Sequence, residues 1–107
     1  MQRFGFVTRV YPEKLEEYKR LHAEPWAGVL ETLRKVGIQN YSIFLHQELL
    51  FSYFEYIGMD WEAAQRQIAA DPTTQEWWKL TDPCQNPFSS ATGGAKWSEM
   101  QTLFLME

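Results

Sequence analysis

Apolar and polar residues alternate from the start of the chain. Phe4, Phe6, Thr8 and Val10 alternate with Gly5, Val7, Arg9 and Tyr11, the period of two expected of a half-buried strand. At Pro12 the period changes. Leu15, Tyr18, Trp26, Val29, Leu33 and Val36 form a helical stripe, which predicts a helix from Pro12 to about Val36 that stops at Gly37. Pro25 lies inside that span. Its ring removes a backbone hydrogen bond and crowds the preceding turn, so a kink just after His22 is expected. Ile38–Leu45 and Leu49–Ile57 read as two strands joined by a short turn at His46, Gln47 and Glu48. Asp60 is placed to cap a helix from Trp61 to Ala70, and Asp71-Pro72 ends it. Thr73 is placed to cap a shorter helix, Thr74 to about Leu80. Asp82 to Gly94, rich in Pro, Gly, Ser and Thr, predicts a long loop, and Glu99–Met106 a closing strand.

The order is β-α-β-β-α-β, an α+β, ferredoxin-like arrangement in a single domain spanning residues 1–107. The third strand, Leu49 to Ile57, is apolar or aromatic on both faces. Helices cover one face of such a sheet, and no remaining segment is left to cover the other. A second copy of the chain is the expected cover, giving a homodimer packed sheet to sheet or side by side.

Composition narrows the partners. A net charge of −4, without a basic stripe, argues against nucleic acid and anionic membrane. No apolar run approaches a membrane span, and the N-terminus lacks the apolar region of a signal peptide. With one cysteine, Cys84, no internal disulfide can form, and the expected setting is reduced and cytoplasmic. Cys84 follows Asp82-Pro83 and reads as a loop thiol rather than a nucleophile. Five Trp, five Tyr and seven Phe exceed what a small core needs, so some are expected to line a pocket or an interface.

Three groups of residues could carry chemistry. Tyr18, His22 and Trp26 follow at helical spacing on one face, which places the proton-carrying His22 among aromatics against the sheet. A proton-transfer residue and a paired core histidine fit this position equally well. Trp77 and Trp78 are adjacent on a helix and point about 100° apart, so one packs inward while the other borders a cleft or an interface. An indole face suits the C–H face of a sugar. Tyr41 shares a strand face with Ile43 and Leu45, as a core tyrosine or as a ligand to a hydroxyl. No glycine-rich phosphate loop, metal-ligand spacing or nucleophile triad is present in the sequence, so no cofactor or metal is expected.

The series Tyr18-x3-His22-x3-Trp26, Asn40-Tyr41, Trp77-Trp78 with Thr81-Asp82, and the terminal Met100-x3-Phe104 resembles the L-rhamnose mutarotase family over nearly the whole chain. The resemblance implies a small cytoplasmic homodimer of ferredoxin-like subunits, a dimeric α/β barrel. It also implies an isomerase that interconverts the α and β anomers of a 6-deoxy hexose, L-rhamnose or L-fucose. His22 would be the proton donor, and Tyr18, Tyr41, Trp77 and Trp78 would contact the monosaccharide. Here the proline precedes Trp26 as Pro25, and position 27 is Ala, whereas members commonly carry the proline after this tryptophan. The segment from Asp82 through the Ser/Gly stretch is more similar to members of an L-fucose type. Ring opening needs an acid at the ring oxygen and a base at the anomeric hydroxyl. The base is left open between water, Asp82 and a tyrosine hydroxyl, with His22 also able to act twice. The alternatives are a cofactor-independent or haem-handling monooxygenase on the same barrel, and a non-catalytic binding module.

Overall fold

The computed structural model describes residues 1–91 and 94–107. Strand β1, Gln2–Val10, lies at the centre of an antiparallel sheet ordered β2-β3-β1-β4, where β2 is Ile38–His46, β3 is Leu49–Tyr56 and β4 is Gln85–Asn86. A fifth short strand, β5 (Ser98–Glu99), takes the same edge of β1 as β4, further along. Phe4 stands opposite Phe54 and Thr8 opposite Leu50, so the even positions of both strands share a face. Helices cover that face: α1, Leu15–Ala23; α2, Ala27–Val36; α3, Trp61–Ala70; and α4, Pro72–Thr81. The α+β, ferredoxin-like order expected from the sequence is therefore present.

The core between sheet and helices has three parts. Phe54 and Tyr56 pack with Ile38, Ala64 and Ile68, and Phe4 stacks on Phe54 and Trp61 at centroid distances of 5.2 and 4.8 Å. Val10, Leu50 and Cys84 enclose Tyr18 near the other end of the sheet. Leu21, Val29 and Trp77 join α1, α2 and α4.

Strand β2 contains a bulge that periodicity does not reveal. Gln39 stands opposite Glu55 and Ser42 opposite Tyr53, so Asn40 and Tyr41 together face the single residue Phe54. Asn40 supplies the turn with φ 51°, a left-handed conformation that asparagine tolerates. The extra residue reverses the alternation. Ile38 before the bulge and Ile43 after it both reach the helix-side core, although they are an odd number of residues apart. Tyr41 shares that side with Ile43 and stacks on Phe54 at 5.3 Å.

Several boundaries differ from the sequence expectation. The long helix is broken rather than kinked. Glu24, forced out of the helical region by the following proline, has φ −132° and ψ 66°, and extended Trp26 begins α2. Gly37 ends α2 with φ 107° and returns its N–H to Arg34 and Leu33 carbonyls. Asp71, not Thr73, caps α4: its carboxylate accepts from the Thr74 N–H at 2.9 Å and the Thr74 hydroxyl at 2.7 Å. Pro72 then takes the first helical position, where its missing N–H costs nothing. Asp60 caps α3 as expected, accepting from Ala63 N–H at 3.1 Å.

The predicted loop from Asp82 is ordered at its start. Asp82–Cys84 forms a 3-10 turn, and β4 pairs with β1, Val10 opposite Gln85. Thr92 and Gly93 of that loop lie outside the described residues. Cys84 is a core residue, 1% exposed, rather than a loop thiol, because β4 draws it between α1 and the sheet. The predicted strand Glu99–Met106 shortens to Ser98–Glu99. Its register, Phe6 opposite Glu99, would bring Leu103 opposite Gln2, where β1 begins, so the residues beyond have no strand to pair with among the described residues. No helix among the described residues is long and apolar enough to cross a membrane.

Candidate active site

His22 lies in the last turn of α1, beside the break at Pro25. Its Nδ1 is 2.9 Å from the Tyr18 carbonyl oxygen, one turn back. A carbonyl oxygen only accepts, so Nδ1 carries the proton and donates. The tautomer is thereby set, and Nε2 is the nitrogen left for other chemistry. The imidazole stacks on the Tyr18 ring at 4.2 Å and meets the Trp77 ring edge-on at 5.5 Å. Aromatic surface on two sides holds the ring's plane, and the backbone hydrogen bond holds its rotation. The helix break places Trp26 at the start of α2, where it packs edge-on against Trp77 at 5.3 Å rather than extending the α1 stripe.

Half-buried His22 borders a cleft of about 270 Å³, close to the lower end of ordinary small-molecule sites. Tyr18, Tyr41, Trp77 and Trp78 also wall it, so tertiary packing brings all five sequence-selected residues to one space. The two tryptophans divide as helical geometry requires: Trp77 is 7% exposed within the core, and Trp78, 37% exposed, stands at the rim. His46, at the end of β2, is exposed and is absent from the cleft wall. A wider, more apolar extension of about 710 Å³ continues between the sheet and α2–α4, past Phe54, Trp61 and Leu33.

The tyrosines are placed to donate hydrogen bonds. Burial pushes the Tyr18 hydroxyl well above its ordinary value. Gln85 Nε2 donates to that hydroxyl at 3.3 Å, which leaves the Tyr18 proton free for another acceptor. Tyr41 has 44% of its surface exposed, yet loss of water around the hydroxyl pushes it up to about 12. Both phenols therefore remain protonated at neutral pH.

Wall residues that sequence reasoning missed include Gln85, Lys96 and Trp97, and Asp82 was named only as one possible base. Lys96 and Trp97 arrive on a segment drawn across the sheet end, where the fully buried Thr8 hydroxyl donates to the Lys96 carbonyl. No local pattern marks them, since the contact joins residues 88 apart in sequence. Gln85 is 5% exposed, and its Oε1 has no partner among the described residues. The described residues hold no cluster of His, Cys, Asp or Glu able to bind a metal ion.

An antiparallel sheet backed on one face by helices, with a histidine and aromatics around a small cleft, defines a ferredoxin-like α+β protein with a candidate site in that cleft. The chain belongs to the L-rhamnose mutarotase family, whose model matches residues 3–106. It is 39% identical over 83 residues to an L-rhamnose mutarotase of Oceanobacillus iheyensis, covering 78% of this chain and 79% of that one. It is 37% identical over 92 residues to one of Listeria monocytogenes, covering 84% and 88%. The solved L-rhamnose mutarotase of Formosa agariphila shares the fold, with a TM-score of 0.78 over the whole of both chains at 19% identity.

Proposed function

We propose that this protein interconverts the α and β anomers of a 6-deoxy hexose, L-rhamnose or L-fucose, with His22 as general acid. Family membership makes it an isomerase acting at a sugar's anomeric centre. The observation that carries the residue assignment is His22 itself. Its Nδ1 proton is committed to the Tyr18 carbonyl, and its Nε2 has no hydrogen-bond partner among the described residues while the ring borders an aromatic cleft. Protonated, that nitrogen gives its proton to the ring oxygen as the C1–O5 bond breaks. The open aldehyde turns about its C1–C2 bond, and the ring closes on the other face. Tyr18 and Tyr41 donate hydrogen bonds to sugar hydroxyls, and Trp77 and Trp78 provide apolar surface for the C–H face and the deoxy methyl group. Acid–base help typically contributes ~10²–10⁴-fold, which suits a reaction that already proceeds in water.

The functional unit is a cytoplasmic homodimer. The unpaired C-terminal segment supports the dimer, with Leu103, Phe104 and Met106 exposed by 91%, 82% and 81%. Phe44 on β2 and Ile57, just past the end of β3, are exposed as well. Sedimentation should give twice the chain mass, and truncation after Glu99 should reduce it to that of one chain.

Exchange NMR of the anomeric protons tests the activity, comparing L-rhamnose, L-fucose and D-glucose with wild type and His22→Ala. Faster exchange of at least one 6-deoxy sugar, largely lost in the variant, is expected. No acceleration of any sugar would refute the activity, whereas an unchanged His22→Ala would refute only the role of His22.

A further inference from the structure

Mutarotation needs a proton given to the ring oxygen and one taken from the anomeric hydroxyl, and His22 is assigned to the first. A separate protein group for the second must sit on the same cleft and hold a lone pair at neutral pH. Among the described residues, Asp82 is the one carboxylate that walls either the cleft or its apolar extension. It enters from the C-terminal end of α4, while His22 enters from the last turn of α1. The two groups thus approach the space from different elements. Tyr18 and Tyr41 are poor bases, since burial keeps their hydroxyls protonated. Lys96 is a cation, and Gln85 and Thr81 do not take up protons at neutral pH.

Resting on the mutarotase reading, we infer that Asp82 is the general base, taking the proton of the anomeric hydroxyl while His22 protonates the ring oxygen. The O1–H electron pair becomes the second bond of the C1 aldehyde, and the C1–O5 pair leaves on O5. The Asp82 carboxylate becomes a carboxylic acid and the His22 imidazolium becomes imidazole, so the net charge of the site is unchanged. Ring closure on the opposite face runs the same transfers backwards and restores both groups. No oxidant, metal or further reactant enters. Half-burial raises the Asp82 carboxyl above its ordinary value, and the Lys96 charge partly offsets this. Such a carboxylate holds a proton better than an ordinary one. The other titratable or charged groups facing the cleft are Tyr18 and His22 from α1, Tyr41 from β2 and Lys96.

The test uses the sugar that wild type accelerates most. Asp82→Asn should slow anomer exchange by about 10²-fold or more. Sugar affinity, read from tryptophan fluorescence, should stay within about twofold, and the acid limb of the rate–pH profile should disappear. Exchange within about threefold of wild type would overturn the assignment. So would a loss of affinity that accounts for the slower rate, since Asp82 would then bind rather than take the proton. Asp82→Ala supplies the second arm: added formate should restore part of the exchange rate, and a failure of rescue in the folded variant would overturn the proposal. If wild type accelerates no sugar, the mutarotase reading itself has failed, an outcome separable from the failure of Asp82 alone.

Discussion

Removing the Tyr18 hydroxyl isolates one contact that joins the site to the core. Tyr18→Phe keeps the ring that stacks on His22 and the backbone carbonyl that holds its Nδ1. It deletes the oxygen that accepts from Gln85 Nε2 at 3.3 Å. At that length the hydrogen bond contributes at the low end of the usual ~0.5–1.5 kcal/mol. The larger loss comes from Gln85, which is 5% exposed and whose Oε1 has no partner among the described residues, so the buried amide would be left without a described partner at either end. Leaving such a group unsatisfied costs about 1–3 kcal/mol, and because Oε1 already lacks a partner we expect about 1–2 kcal/mol for the variant. At ~4–8 °C per kcal/mol for small domains, Tm should fall by roughly 5–15 °C. Urea unfolding measures the free energy, and one fixed protein concentration for all variants keeps the mass-action contribution of self-association comparable between them. The control is Gln85→Met, nearly the same shape without polar atoms. The double variant should be more stable than Tyr18→Phe alone, because the stranded amide is gone. A Tyr18→Phe variant within about 0.5 kcal/mol of wild type, or a double variant that falls by the sum of the singles, would refute this account.

Three further outcomes follow from the fold. The Thr74 hydroxyl and N–H hold the Asp71 carboxyl below its ordinary value, so its charge adds stability that is complete above the unfolded pKa and lost as pH falls through the folded one. Asp71→Ala should therefore lower the urea midpoint at neutral pH, with the gap to wild type closing in acid. Gly37→Ala places a side chain at φ 107° with its Cβ 3.1 Å from the Gly58 nitrogen, and should cost about 1–2 kcal/mol by thermal unfolding. Cys84 is buried and its thiol pushed up, first by loss of water and then by the nearby Glu17 charge. Iodoacetamide should leave it unmodified in the native protein and label it fully in urea, as read by mass spectrometry.

Much of the site was legible locally. Tyr18 and His22 lie one helical turn apart, and their stacking and the Nδ1 hydrogen bond both arise within α1. The divergence of Trp77 and Trp78 follows from helix geometry, and the strand–helix order follows from the change of apolar period. Such features depend on steric preferences and spacings that span a few residues, so the amino-acid order carries them unaided. Tertiary packing decided the rest. Gln85 reaches the Tyr18 hydroxyl across 67 positions, and Lys96 is held by Thr8 across 88. The bulge at Asn40 that aims Tyr41, and the burial of Cys84 by the β1–β4 pairing, exist only once the sheet has chosen its register. Long-range pairings of this kind gain their free energy from burial and ladder hydrogen bonds; burial leaves a period of two, but the choice of partner and register leaves no periodic trace in the chain. By itself the sequence determined which face of α1 carries the histidine. The tertiary structure decided what stands across the cleft from it.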